Sequence, residues 1–339
     1  MKKYAFVLIS ALCLLLAGCG ARSDASAARS RTVFAMDTVM NLTVYGGNED
    51  TLRVAEEELH RLDDALARTR EGSDVYTLNH SGSVRSIDAA RLFARADEIA
   101  AATDGAFDVT IAPVLALWGF GENADGQHVP DAGAIAEALR YVGREHVSRG
   151  SDGVEVRLDL PAQVDFGGIA KGYAAMQLSN IFSSTITGAV LDLGGDVCVI
   201  GKKPDGADWR IAVKDPADGE RFLGVLEASD ICVMTSGVYE RYFEENGVRY
   251  HHIIDPRTGW PADNGIVSAT VICRDGIWAD ALATALCVLG AESAETLRQS
   301  LAETMPFDYI LVTDGNAVRY TCAGFTPEKT GPYSYEQVS

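Results

Sequence analysis

The segment Val164-Asp165-Phe166-Gly167-Gly168-Ile169-Ala170-Lys171-Gly172-Tyr173-Ala174-Ala175 constrains this chain more than any other. An apolar run ends in a carboxylate, a glycine pair follows, and a helix-compatible stretch then carries a lysine in its first turn. Glycines let backbone approach a ligand closely, and a helix N-terminus presents free N–H groups to phosphate. Asp165 adds a carboxylate suited to a metal or a ribose, and Lys171 a cation suited to phosphate. An ordinary tight turn before a helix would use the same residues. No Gly-Lys-Ser/Thr follows, which excludes a Walker loop, and the G-x-G-x-x-G spacing of a dinucleotide-binding βαβ unit is missing.

The N-terminus speaks to location. Lys2 and Lys3 precede an apolar run from Ala5 to Leu16. That run is shorter than the ~20 residues needed to cross a bilayer as a helix. It ends in Leu16-Ala17-Gly18-Cys19, which resembles the lipobox of bacterial lipoproteins. Residues 1–18 therefore read as a lipoprotein signal peptide, with Cys19 as the lipidated first residue of the mature chain. Two acyl chains suffice for stable anchoring. Residues 19–31, rich in Ala, Ser and Arg, read as a flexible tether. The expected location is the extracytoplasmic side of a cell membrane. The formal charge of −19 argues against nucleic acid and anionic membrane surfaces as partners. An anionic substrate would need local relief from lysine, helix N-termini or a metal ion. Of seven cysteines, Cys198, Cys232, Cys273, Cys287 and Cys322 remain after the leader and Cys19 are set aside. Their apolar settings predict buried free thiols, although export permits a disulfide.

Residues 32–339 read as one domain. Thr32 to Tyr45 is predicted extended, with a polar break at Asp37-Thr38. Leu52, Ala55, Leu59, Leu62 and Leu66 recur at helical spacing and predict a helix from Thr51 to Arg68. Further helices are expected at Asp88–Thr103, with Asp88 as N-cap, at Asp131–Val142, Ile169–Phe182, Ile277–Leu289 and Ala291–Ala302. From Ala189 onward strands dominate, at Ala189–Ile200, Trp209–Val213, Leu223–Ala228, Ile231–Thr235, Tyr250–Ile254, Ile266–Cys273, Tyr309–Thr313 and Ala317–Tyr320. Strands and helices mix without regular βαβ alternation, which favours an α+β fold.

Three further constellations bear chemistry. Asp280 and Thr284 lie four apart on a predicted helix and share one side of it. A carboxylate and a hydroxyl suit a hard cation such as Mg²⁺, whereas a Thr bonded back to its own helix and a loop-capping Asp would be purely structural. His251-His252-Ile253-Ile254-Asp255-Pro256-Arg257-Thr258-Gly259 runs from strand into turn. His252 at the strand end could serve as a base or phosphate contact. Thr235-Ser236-Gly237 reads as a helix cap or an anion-binding turn, and Ser236 lies outside any G-x-S-x-G elbow.

In this order along one chain, the motifs resemble the ApbE family, flavin transferases that attach FMN to proteins from FAD. The resemblance rests on Met36-Asp37-Thr38, Ser73-Asp74 with Leu78-Asn79, Thr103-Asp104-Gly105-Ala106-Phe107-Asp108, Pro113, Leu117-Trp118-Gly119-Phe120-Gly121 and Val164 to Ala175. It continues through Leu193-Gly194-Gly195-Asp196, Thr235-Ser236-Gly237, His252 to Gly259, and Ala279 to Thr284. It implies a single ApbE-like, T-fold-related α+β domain. It implies FAD contacts from Met36, Trp118, Gly119, Phe120, Asp165, Lys171 and Ile254. It implies Mg²⁺ ligation by the Gly168 carbonyl, Asp280 and Thr284, and His252 and Asp280 as catalytic groups. The implied acceptors are redox-pump subunits or exported lipoproteins. The chain departs from the family pattern at Thr69-Arg70-Glu71-Gly72, where many members carry an aromatic residue before the Ser73 motif. FAD hydrolysis to FMN and AMP, and flavin binding without catalysis, are the alternative activities.

Cys19→Ser is expected to release the protein from membranes or to leave its leader uncleaved, because no thioether to lipid can form. Membrane fractionation with mass measurement of the mature chain checks this, and normal processing and retention would exclude the anchor.

Overall fold

The computed structural model describes residues 27–339 apart from 122–125, 184, 330 and 339. The leader, Cys19 and most of the tether lie outside the described residues. Nine strands build the main sheet and lie side by side in chain order. They are β1 (Ala28–Ala35), β2 (Thr38–Tyr45), β3 (Gly188–Leu193), β4 (Val197–Gly201), β5 (Ile231–Gly237), β6 (Ile266–Cys273), β7 (Phe307–Thr313), β8 (Ala317–Tyr320) and β9 (Ser334–Gln337). Neighbours are antiparallel except β8 and β9. Six helices sit in the connection from β2 to β3: α1 (Glu49–Leu66), α2 (Asp74–Ser81), α3 (Ile87–Ala102), α4 (Ala112–Leu117), α5 (Ala132–Leu139) and α6 (Ala170–Phe182). Two more, α7 (Gly276–Leu289) and α8 (Ala291–Ser300), join β6 to β7. Mostly antiparallel strands with inserted blocks of helix make this an α+β domain.

Side chains alternate between the faces of a strand, and here both faces of the central strands are covered. Leu191, Cys198, Met234, Val271 and Leu311 point into the large core shared with the helices. Their neighbours Val190, Val199, Val233, Ile272 and Ile310 point the other way. There they meet Trp209, Ile211, Val213, Leu226 and Phe325 of a small three-stranded sheet. Double coverage explains why β6 reads as an almost unbroken apolar run. The stripe Leu52, Ala55, Leu59, Leu62, Leu66 is buried as its spacing predicts, and Asn48 with Thr51 closes a capping box at the start of α1.

Several boundaries differ from the sequence-based expectation. β1 begins at Ala28, so four residues of the expected tether are strand, paired with residues 42–45 of β2. The expected strand 189–200 is two strands, because Gly194 and Gly195 adopt positive φ and turn the chain back. Residues 235–237 end β5 and cap no helix. Ser86 caps α3; Asp88 is buried within its first turn, paired with Arg61 and accepting from the Tyr173 hydroxyl at 2.6 Å. α2 and α4 are short helices that periodicity alone did not reveal.

The cysteines are also corrected. Cys198 and Cys232 stand directly opposite on β4 and β5 and form a disulfide, while Cys273, Cys287 and Cys322 are buried thiols. The bond closes a loop with a sequence separation of 34. In the chain-entropy description, such a loop contributes about 3–4 kcal/mol. Cys232→Ser is expected to lose stability of that order in equilibrium denaturation, and reductant should then have no further effect on the variant.

Candidate active site

A cleft of about 1230 Å³ opens where the tip of the β1–β2 hairpin, the 164–168 loop, α7 and the ends of β3, β4 and β5 meet. Its size exceeds the ~300–1,000 Å³ of ordinary small-molecule sites. The 164–168 loop is held on a fixed path. The Asn79 amide of α2 donates to the Val164 carbonyl at 2.9 Å and accepts the Val164 N–H at 2.8 Å. The Asp165 N–H donates to the Val109 carbonyl at 2.7 Å. The Asp165 carboxylate accepts the Gly167 N–H at 2.7 Å and pairs with Arg68 at 3.4 Å.

α6 then starts against α7. A Cβ on Gly172 would stand 2.1 Å from the Gly276 carbonyl oxygen, so only glycine permits this contact. The approach lets the buried Asp280 carboxylate accept the Gly172 N–H at 2.8 Å, across 108 residues of chain. Thr284, one turn further along α7, exchanges a hydrogen bond with the Ser236 hydroxyl at 3.1 Å. A Cβ on Gly168 would lie 3.4 Å from the Thr284 hydroxyl. Gly168, Asp280 and Thr284, grouped in the sequence only through the family resemblance, thus line one wall of the cleft. Among the described residues no three His, Cys, Asp or Glu side chains cluster as a metal site. A carboxylate, a hydroxyl and a backbone carbonyl are nevertheless an all-oxygen donor set, which fits Mg²⁺ with waters or substrate oxygens completing its shell.

Lys171, on the first turn of α6, pairs with the Asp196 carboxylate. Asp196 also accepts the Thr235 N–H at 2.7 Å. Burial alone would lower the lysine pKa; Asp196 and Asp280 outweigh it and raise the pKa. Burial pushes the Asp280 carboxyl upward, and nearby Lys171 only partly offsets that. The cleft wall carries eight carboxylates against five basic side chains, so a bound anion gains from an added cation.

His251 and His252 part company by strand parity. His251 faces inward, with Nε2–H donating to the Ala262 carbonyl at 2.9 Å. His252 lines the cleft. Its Nδ1–H donates to the Arg241 carbonyl at 3.2 Å, which leaves Nε2 as the free acceptor. Burial, with Arg241 adding to it, pushes His252 down to about 4. The ring is therefore neutral at physiological pH.

Met36, Phe120, Asp165, Gly168, Lys171, His252, Ile254, Asp280 and Thr284 all line the cleft, and so does Thr69. Trp118 does not. It is fully buried, with its indole N–H donating to the Gly259 carbonyl at 2.8 Å, and it packs with Val114, Ile135 and Ile254. Gly119, whose φ is +73°, turns the chain so that Phe120 and Gly121 face the cleft. Trp118 and Gly119 thus support the segment that the sequence assigned to FAD contact. Arg68, Asp196 and Arg241 also line the cleft, and sequence reading gave none of them a role. Asp196 was marked only by the preceding glycine pair.

Residues 36–306 match the ApbE family. The chain is 33% identical to an FAD:protein FMN transferase of Vibrio cholerae over 276 residues, covering 79% of this chain and 81% of that one. It is 33% identical over 313 residues to another from Treponema pallidum, covering 84% and 86%. The crystal structure of the ApbE protein of Thermotoga maritima superposes with a TM-score of 0.79 at 32% identity, covering 90% of this chain and 98% of that one. The apo flavinyl transferase ApbE of Pseudomonas stutzeri gives 0.75 at 31%, covering 89% and 95%. The fold is that of the ApbE flavin transferases, and the protein is an enzyme of that kind. The chain belongs to the ApbE family.

His252 gives a signed pH dependence. An unfolded histidine titrates near ~6.5, whereas folded His252 does so at about 4. Between these values the unfolded chain holds the extra proton, so this residue removes stability as pH falls through the window. His252→Gln is expected to lose less stability than the parent between about pH 7 and about pH 5, measured by denaturant unfolding at both. Equal losses would exclude a buried neutral ring.

Proposed function

We propose that the protein is a Mg²⁺-dependent FAD:protein FMN transferase that moves FMN from FAD to a Thr or Ser hydroxyl of an acceptor protein and releases AMP. The convergence of Gly168, Asp280 and Thr284 beside the start of α6, in an otherwise acidic cleft, carries this reading. Mg²⁺ held by those three residues would supply Lewis-acid charge neutralisation at the pyrophosphate.

The chain's own residues do the rest. The open backbone at Gly167 and Gly168 admits the phosphates. Lys171 places its charge beside them while Asp196 fixes its position. Phe120, Ile254 and Met36 offer apolar surface to the rings of FAD. The acceptor hydroxyl attacks the FMN-side phosphorus, and its proton passes to Nε2 of His252. The bond from that phosphorus to the bridging oxygen breaks, and AMP carries the oxygen away. At physiological pH His252 is neutral and keeps Nε2 unprotonated for this step, while burial lowers its basicity.

Anchored through Cys19, the enzyme would act on the outer side of the membrane, where redox-pump subunits and exported lipoproteins are the acceptors. Incubation with FAD, Mg²⁺ and a purified apo acceptor, followed by weighing the acceptor, tests the reading. Addition of FMN supports transfer. Free FMN plus AMP with an unlabelled acceptor supports hydrolysis, and intact FAD supports binding alone.

Asp280→Asn is expected to cut turnover by about 10²–10³-fold while FAD affinity changes far less, because the lost charge acts where the transition state forms. Wild-type turnover in that variant at ordinary Mg²⁺ would remove the carboxylate from the metal site.

A further inference from the structure

The cleft must admit a second, macromolecular substrate, and one part of its rim is built differently from the rest. On the outward face of the β1–β2 hairpin, cross-strand pairs lead toward the cleft. Ser30 and Thr43 bond to each other at 2.9 Å, and the Thr32 hydroxyl donates to the Asn41 side-chain oxygen at 2.9 Å. The next pair on this face is Phe34 with Val39, directly opposed in register. Phe34 is 66% exposed and Val39 52%. The polar pairs satisfy each other, while the apolar pair next to the tip faces water.

The position of this pair gives it meaning. The small sheet that covers the outward face of the central strands takes only Tyr45 from β1 and β2. Met36, Asp37 and Thr38, between the two apolar residues in sequence, line the cleft. Met40 pairs with Leu193 and the Thr38 side chain lies on Gly194, so the hairpin tip borders this turn. From there the cleft runs over Gly194 and Gly195 to Lys214. A Cβ on Gly195 would meet nothing within 4 Å, so this arm of the cleft is open. The bare backbone at Gly195 lets another chain lie close.

We propose that Phe34 and Val39 form the docking surface for the acceptor protein. An extended acceptor segment passes over Gly195, seats an apolar side chain on Phe34 and Val39, and so brings its hydroxyl into the cleft. This rests on the transferase reading above. It assigns acceptor choice to a face continuous with the cleft and separate from the FAD contacts. Two opposed apolar side chains beside the hairpin tip, once covered by a partner, give the kind of anchor that carries most of an interface's energy.

The test uses the full-length protein, FAD, Mg²⁺ and a purified apo subunit of a flavin-dependent redox pump as acceptor. Phe34→Ser, Val39→Ser, the double variant and Phe34→Leu are compared with wild type. Acceptor labelling, AMP release and FAD affinity are measured. The double variant is expected to raise KM for the acceptor at least about tenfold, as expected from losing two buried apolar contacts. Its kcat and FAD affinity should stay within about twofold, and Phe34→Leu should restore most of the acceptor KM. A wild type that splits FAD but labels no acceptor overturns the transferase reading and the docking surface with it. A wild type that labels the acceptor beside a double variant of unchanged acceptor KM overturns the docking surface alone. A parallel loss of FAD affinity overturns it too, because the pair would then serve the donor.

Discussion

The close approach of α6 to α7 at Gly172 and Gly276 is the contact on which the site depends. α7 is buried nearly all round, from Gly276 through Val288 apart from Thr284, so its position is set by packing on every side. Within that apolar helix Asp280 is a charge that needs a partner. The bare Gly172 backbone brings the N–H groups at the start of α6 within reach, and the carboxylate caps them. One bond across 108 residues thus fixes the helix that carries Asp280 and Thr284 against the loop that carries Gly168. Any side chain at residue 172 would push the helices apart and move all three donors at once.

The same contact leaves an electrostatic imbalance. One ammonium, on Lys171, faces two buried carboxylates, Asp196 and Asp280. Asp196 is the better satisfied, by the lysine and by the Thr235 N–H. Asp280 keeps a raised affinity for a proton. A group in that condition binds a metal cation more readily than a well-paired carboxylate does, because metal and proton compete for the same charge. The acidic character of the chain, which would repel a pyrophosphate, would be offset by a cation held at Gly168, Asp280 and Thr284.

The sequence made the helices of this site legible and hid their relation. α1 declared itself by periodicity, because it buries one apolar stripe against the core; α6 and α7 were read as helices without such a stripe, and α7 is buried nearly all round. The Asp280/Thr284 pair and the Gly167–Gly168 turn were readable as separate fragments. Their convergence was not, since it rests on Gly172 meeting Gly276 and no local pattern records a contact 104 positions away. The Cys198–Cys232 bond escaped for the same reason. It joins neighbouring strands only because Gly194 and Gly195 break what reads as one long strand. Trp118 was misplaced for another. The family resemblance implied an FAD contact there, yet the indole N–H finds its partner in the Gly259 carbonyl and the ring completes a local core.

The hairpin tip shows how far local rules yield to the site. Met36 and Asp37 both have positive φ, 51° and 57°, where a two-residue hairpin turn ordinarily takes Asn and Gly. Left-handed backbone at ordinary side chains costs about 1–3 kcal/mol per residue and persists only where the surroundings hold it. Here Asp63 of α1 accepts the Met36 N–H at 2.8 Å, and full pairing of β1 with β2 holds both ends of the turn. A glycine turn would relieve the strain but would give up the Met36 side chain on the cleft wall and loosen the tip. The rigid tip keeps Met36 inside the cleft while Phe34 and Val39 stand on the outer face. One turn therefore separates Met36 on the cleft wall from the apolar pair on the outer face.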